Sequence, residues 1–177
     1  MTKLPPMEDK DFADRKPYFD EGVHEVIIDD FRRGTSTNTG SEYIEFDLVG
    51  ENDENGQVRL YLTEKTQERT RQILATIAVH NKESEADKEK VREAFKKITD
   101  TDQLDDAFLD KFKDMQAWIL TTPNTSQPKP DGGFYLQNNL YGYKPTPKAS
   151  ITSPATTAEQ LLGGTPVDAN GEEIPFK

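Results

Sequence analysis

The sequence contains no cysteine. That absence excludes a disulfide framework, a thiolate metal site and a cysteine nucleophile, and it suits a reducing compartment. Histidine is scarce as well. His24 and His80 are the only two, and neither stands at metal-ligand spacing from another histidine. There is no glycine-rich phosphate loop followed by lysine. No apolar run approaches the ~20 residues of a membrane-spanning helix. The opening Met1-Thr-Lys-Leu-Pro-Pro6 lacks the apolar centre of a signal peptide. A cytoplasmic protein without a membrane partner is expected.

Little is left for an enzyme. Asp29-Asp30 and Asp105-Asp106 are carboxylate pairs of the kind that hold Mg²⁺. Neighbours on a strand point to opposite faces, however, so Asp29 and Asp30 are not expected to form one site. Asp105-Asp106 reads more simply as a solvated helix start. Neither catalysis nor a cofactor or bound metal is expected.

Hydrophobic residues make up 33% of the 177 residues and charged residues 31%, so the core is modest and the surface wet. There is room for one domain of ordinary size. The formal net charge is −11, which argues against simple phosphate neutralisation as a binding mode. Distribution matters more than the sum. Between residues 115 and 150, Lys129, Lys144 and Lys148 face Asp131 alone. That stretch also holds the Tyr-rich segment Gly133-Phe-Tyr-Leu-Gln-Asn-Asn-Leu-Tyr-Gly-Tyr-Lys144.

The chain divides into three parts. Residues 1–20, with mixed charge and no periodicity, read as a loose arm. Residues 145–177 are mostly Pro, Thr, Ser, Ala and Gly before the ending Gly171-Glu-Glu-Ile-Pro-Phe-Lys177. Such a segment buries too little apolar surface to offset its ordering entropy, so a disordered tail with an acidic-apolar tip is expected. Between them, residues 21–144 carry the domain.

Within that domain, residues 22–31 are β-branched and read as a strand, followed by a loop over 32–41. Residues 42–49 alternate, with Ile44, Phe46 and Leu48 inward and Tyr43, Glu45 and Asp47 outward. A turn centred on 52–56 leads to a second alternating run over 57–63, with Val58, Leu60 and Leu62 inward and Arg59 and Tyr61 outward. The period then becomes helical: Ile73, Leu74, Ile77 and Ala78, then a charged run over 82–97, then a short helix with Leu104, Phe108, Leu109 and Phe112. Strand character returns at 115–122. A loop over 123–132 precedes a last strand over 134–143, with Phe134, Leu136 and Leu140 on one face and Tyr135, Tyr141 and Tyr143 on the other.

Three strands, helices, then two strands is the order of an OB-fold, a five-stranded Greek-key barrel with helices between strands three and four. An open α+β sheet is the alternative. The passages Gly22-Val-His-Glu-Val-Ile-Ile-Asp-Asp-Phe31, Thr39-Gly-Ser-Glu-Tyr-Ile-Glu-Phe-Asp-Leu48 and Ala75-Thr-Ile-Ala-Val79 resemble phage-encoded single-stranded DNA-binding proteins. The ending Gly171-Glu-Glu-Ile-Pro-Phe176 is similar to the acidic tip of bacterial single-stranded DNA-binding proteins, which docks onto replication and repair partners.

The resemblance implies binding of single-stranded DNA in phage replication or recombination, in the host cytoplasm, with a homo-oligomer allowed. Glu172, Glu173, Ile174, Pro175 and Phe176 would be the partner-docking residues. Base–aromatic stacking contributes ~1–3 kcal/mol per base and tolerates any sequence. Tyr43, Tyr61, Tyr135, Tyr141 and Tyr143 are the expected platform. Arg59 shares the face of Tyr61, Arg32 and Arg33 stand at the mouth of the first loop, and Lys129 lies in the loop before the last strand. Trp118 is either a core residue or a base contact. The competing class is an acidic protein-interaction module that binds a host or phage protein, kept open by Glu45 and Asp47 beside Tyr43.

Overall fold

The computed structural model describes residues 16–147. Residues 1–15 and 148–177, including the acidic tip at Glu172–Phe176, lie outside the described residues. Among the described residues five strands are present: β1 (Gly22–Thr35), β2 (Glu42–Gly50), β3 (Asn55–Tyr61), β4 (Gln116–Pro128) and β5 (Phe134–Tyr141). Helices α1 (Gln67–His80), α2 (Glu85–Lys96) and α3 (Asp106–Leu109) stand between β3 and β4. The strands form one sheet in the order β3-β2-β1-β4-β5, and every paired neighbour is antiparallel.

The alternation along β2 and β3 sets the core. Ile44, Phe46, Leu48, Val58, Leu60 and Leu62 are all buried, because a period of two sends every second side chain to one face. The core continues through Val26 and Ile28 of β1, Ala117 and Ile119 of β4, and Leu140 of β5. Helix α1 adds Leu74 and Ile77. A line of aromatic rings joins the helices to the sheet. Phe95 meets Phe108 at 5.5 Å, Phe108 meets Phe112 at 5.6 Å, and Phe112 meets Phe46 at 6.3 Å between centroids.

Helix boundaries follow their caps. Ser84 accepts the backbone N–H of Asp87 and starts α2. Asp105 caps α3 through the N–H of Phe108, at 2.8 Å. Asp100 caps the short 3₁₀ turn Thr101–Gln103. Asn81 ends α1 and binds it to β4, donating to the carbonyls of Ile77 and Gln116 and accepting from the N–H of Gln116. Gly142, just beyond β5, lies against the same helix. A Cβ there would stand 2.4 Å from the backbone of Thr76 and Ile77.

Several expectations are corrected. Strand β1 does not stop at Phe31 but runs to Thr35, so Arg32 and Arg33 lie in the strand and not at a loop mouth. Its register against β2 shifts between Ile28 and Asp30. This β-bulge leaves Asp29 and Asp30 both exposed, where strict alternation would put them on opposite faces. The β2–β3 turn is carried by Asp53, at φ 61°, while Asn55 and Gly56 already belong to β3. Gly56 fits there because a Cβ would stand 2.8 Å from the Asn138 amide nitrogen and 2.9 Å from the Phe19 ring.

Phe19 also shortens the expected N-terminal arm. It is buried in the core, Tyr18 bridges Asn55, and the N–H of Asn55 donates to the Pro17 carbonyl at 2.9 Å. Burial of one phenyl ring and a backbone pairing tie residues 17–20 to the domain.

The expected loop over 123–132 is largely strand. β4 and β5 continue past the core as a two-stranded ribbon, with a register irregularity between Pro123 and Pro128. Phe134 and Leu136, expected inward, are exposed together with Tyr135, because nothing among the described residues covers the ribbon's faces. β3 and β5 are the sheet's two edges, and no backbone ladder joins them among the described residues. They meet instead through Asn138, which donates to the Gln57 carbonyl at 3.2 Å and accepts from the buried Thr121 hydroxyl at 2.8 Å.

Candidate nucleic-acid interface

The β1 bulge decides which side chains share the outer face. Beyond it, Arg32 stands opposite Glu45, and Gly34 opposite Tyr43. Across the next ladder, Tyr43 faces Tyr61 and Glu45 faces Arg59. The result is a compact cluster on three strands. The rings of Tyr43 and Tyr61 meet edge to face, with centroids 5.8 Å apart. The guanidinium of Arg59 lies 4.6 Å from the Tyr43 ring centroid, a cation–π contact. Gly34 leaves room for this ring, since a Cβ there would stand 2.6 Å from it.

A carboxylate network underlies the cluster. Glu45 accepts from Nε of Arg32 at 2.6 Å and from Nε of Arg59. Asp47 takes the terminal nitrogens of Arg32 in a fork at 2.8 and 3.0 Å. Gln57 also donates to Asp47, at 2.9 Å. Glu45 is buried although it points away from the core. Burial acts to raise its pKa, and the hydrogen bonds from Arg59 and Arg32 outweigh it, so the carboxyl titrates below its ordinary value of 4.5. The two arginines are held in the protonated form by the same partners.

A depressed folded-state pKa means stability that is present above the unfolded value and lost as pH falls through the folded one. Glu45→Gln is expected to cost about 1–3 kcal/mol at neutral pH, because one amide oxygen cannot serve both arginines. Unfolding in urea at several pH values checks this. The gap between wild type and variant should be full above pH 4.5 and close as the solution is acidified below it.

The other expected platform residues do not join this cluster. Trp118 is half-buried on β4, opposite Tyr141, with Nζ of Lys144 5.4 Å from its ring. Tyr141 meets Tyr143 at 6.0 Å, and Tyr143 meets His80 at 6.3 Å. Tyr135 stands apart on the ribbon, with Nζ of Lys129 at 5.7 Å from its ring. Arg33 pairs with the buried Ile44, so alternation sets it on the opposite face from Arg32. The expected single platform is therefore three aromatic groups, each with its own cation. Glu45, Lys144 and His80 complete these groups; alternation already set Glu45 beside Tyr43, but neither its hold on both arginines nor the places of Lys144 and His80 were legible. Their signal is cross-strand register or helix packing, which sequence spacing does not carry.

Among the described residues, no group of three or more His, Asp or Glu side chains is arranged to hold a metal ion. No helix there is long and apolar enough to cross a membrane. Comparison with known proteins finds no matching family model and no similar curated protein.

Proposed function

We propose that this protein binds single-stranded DNA without sequence specificity, stacking bases on Tyr43 and Tyr61 and meeting phosphate through Arg59. The observation that carries the reading is the Tyr43–Tyr61 pair with a guanidinium over one ring, on the outer face of the sheet. Every base has a π face, so such a pair is sequence-tolerant. Trp118 with Lys144, and Tyr135 with Lys129, would extend the path with the same chemistry.

The reading takes the sheet as an OB-type barrel. The order β3-β2-β1-β4-β5 becomes circular when β5 runs beside β3, and the Asn138–Gln57 hydrogen bond supports that closure. A phage origin, a role in replication or recombination, and partner docking through Glu172, Glu173, Ile174, Pro175 and Phe176 belong to the same proposal and rest on the sequence resemblance.

Titration with oligo-dT tests it through quenching of tyrosine and Trp118 fluorescence. Binding is expected, with log K falling against log salt by about 0.7 per phosphate neutralised. Duplex DNA of equal length should bind more weakly, because its bases are not free to stack. A second reading, an acidic protein-interaction module, draws on the neutralisation of Arg32 by Glu45 and Asp47. No binding of oligo-dT at low salt would reject the first reading in favour of the second.

A further inference from the structure

Arg32 and Arg59 share one carboxylate but use different parts of the guanidinium. All three nitrogens of Arg32 are engaged, Nε by Glu45 and both terminal nitrogens by Asp47. Arg59 gives Glu45 only its Nε. Among the described residues its terminal nitrogens meet no carboxylate, and its plane lies against Tyr43. The Glu45 side chain is 6% exposed, whereas those of Arg32 and Arg59 are 48% and 50% exposed. A carboxylate this covered is poorly placed to repel a phosphate directly. It serves as a socket for the two exposed cations above it.

The geometry points to Glu45 as a positioning residue: it holds Arg59 by the Nε edge over Tyr43, which leaves the terminal nitrogens for a phosphodiester of a strand whose base stacks on the tyrosine pair. Arg32 and Asp47 then anchor Glu45 and do not contact nucleic acid. This rests on the single-strand-binding reading and adds what holds Arg59 in place for phosphate. The physical gain is preorganisation. A free arginine loses several rotamers when it grips a ligand, and one held in place has already lost them. The planar fork also keeps its outer donors aimed once one edge is fixed.

The consequence has an unusual sign. Removing a negative charge beside bound phosphate would ordinarily tighten binding. Here Glu45→Gln is expected to weaken oligo-dT binding about tenfold. The salt slope should shrink by about one phosphate's worth, since Arg59 no longer contributes. Glu42→Gln, which removes an exposed acid on the same strand outside the network, should leave binding equal or slightly tighter. Arg59→Lys keeps the charge but loses Nε and the stacked plane, and it should match the loss of Glu45→Gln. The double variant should be no weaker than either single one.

The measurement is a fluorescence titration of the full chain against oligo-dT at several salt concentrations, with circular dichroism as the check on folding. Glu45→Gln binding as tightly as wild type, or more tightly, overturns the inference. Should Glu45→Gln not fold, Arg59→Lys decides alone: full affinity with an unchanged salt slope overturns it, and a tenfold loss supports it. A wild-type chain that does not bind oligo-dT rejects the single-strand reading itself, and with it this inference.

Discussion

Phe46→Ala is expected to cost about 3–5 kcal/mol of folding stability, the range for deleting a buried phenyl ring from a core that relaxes only in part. Phe46 has no exposed surface. It is also where the aromatic line Phe95–Phe108–Phe112 reaches the sheet. Truncation therefore removes its own buried surface and leaves the helical segment without its contact on β2. Domains are stable by only about 5–15 kcal/mol in total, so the loss is a large part of the whole. Urea unfolding followed by circular dichroism measures it. A loss below about 1 kcal/mol would mean that the helices do not depend on this contact.

Removing the tyrosine pair is expected to have the largest effect on ligand binding. Tyr43→Ala and Tyr61→Ala should each weaken oligo-dT binding by ~1–3 kcal/mol if each ring stacks on a base. Tyr43 should be the more costly, because Arg59 lies against it as well. The two rings touch, so the double variant should fall short of the sum. Gly34→Ala offers a separate probe, since its methyl group would meet the Tyr43 ring at 2.6 Å. The ring would have to move, and binding should drop with the tyrosine still present. Full affinity in Tyr43→Ala and Tyr61→Ala with the fold intact would rule out stacking at this face.

Much of the fold was legible where periodicity is strong. On β2 and β3 the inward set Ile44, Phe46, Leu48, Val58, Leu60 and Leu62 follows from alternation alone. The helical spacing of Leu74 and Ile77, and their burial, follows in the same way. The candidate site was legible in residue type but not in grouping. Tyr43, Tyr61 and Arg59 share an outward face by alternation, and the register brings them into contact. Tyr135, Tyr141 and Tyr143 carry the same pattern yet lie elsewhere. Alternation tells which side of a strand a residue is on, not how far the strand runs beyond the core. Phe134 and Leu136 depart from the expected inward set for that reason. They keep an inward-facing pattern on a ribbon that has outrun what it could pack against.

By itself the sequence determined the kinds of element, their order and the inward faces of the regular strands, because these depend on local period and on burial of apolar side chains. It also determined that these 177 residues form no disulfide and offer no thiolate ligand or nucleophile, because they contain no cysteine. The tertiary structure alone decided the partners of each side chain. The β1 bulge between Ile28 and Asp30 is the clearest case. Without that shift of register Arg32 would face Ile44 and the core; with it, Arg32 faces Glu45 on the outside. One residue of slip reverses every face beyond it. At the bulge, Ile28 exchanges backbone hydrogen bonds with Asp114 and Met115 of the connection into β4, and no local pattern in β1 records those.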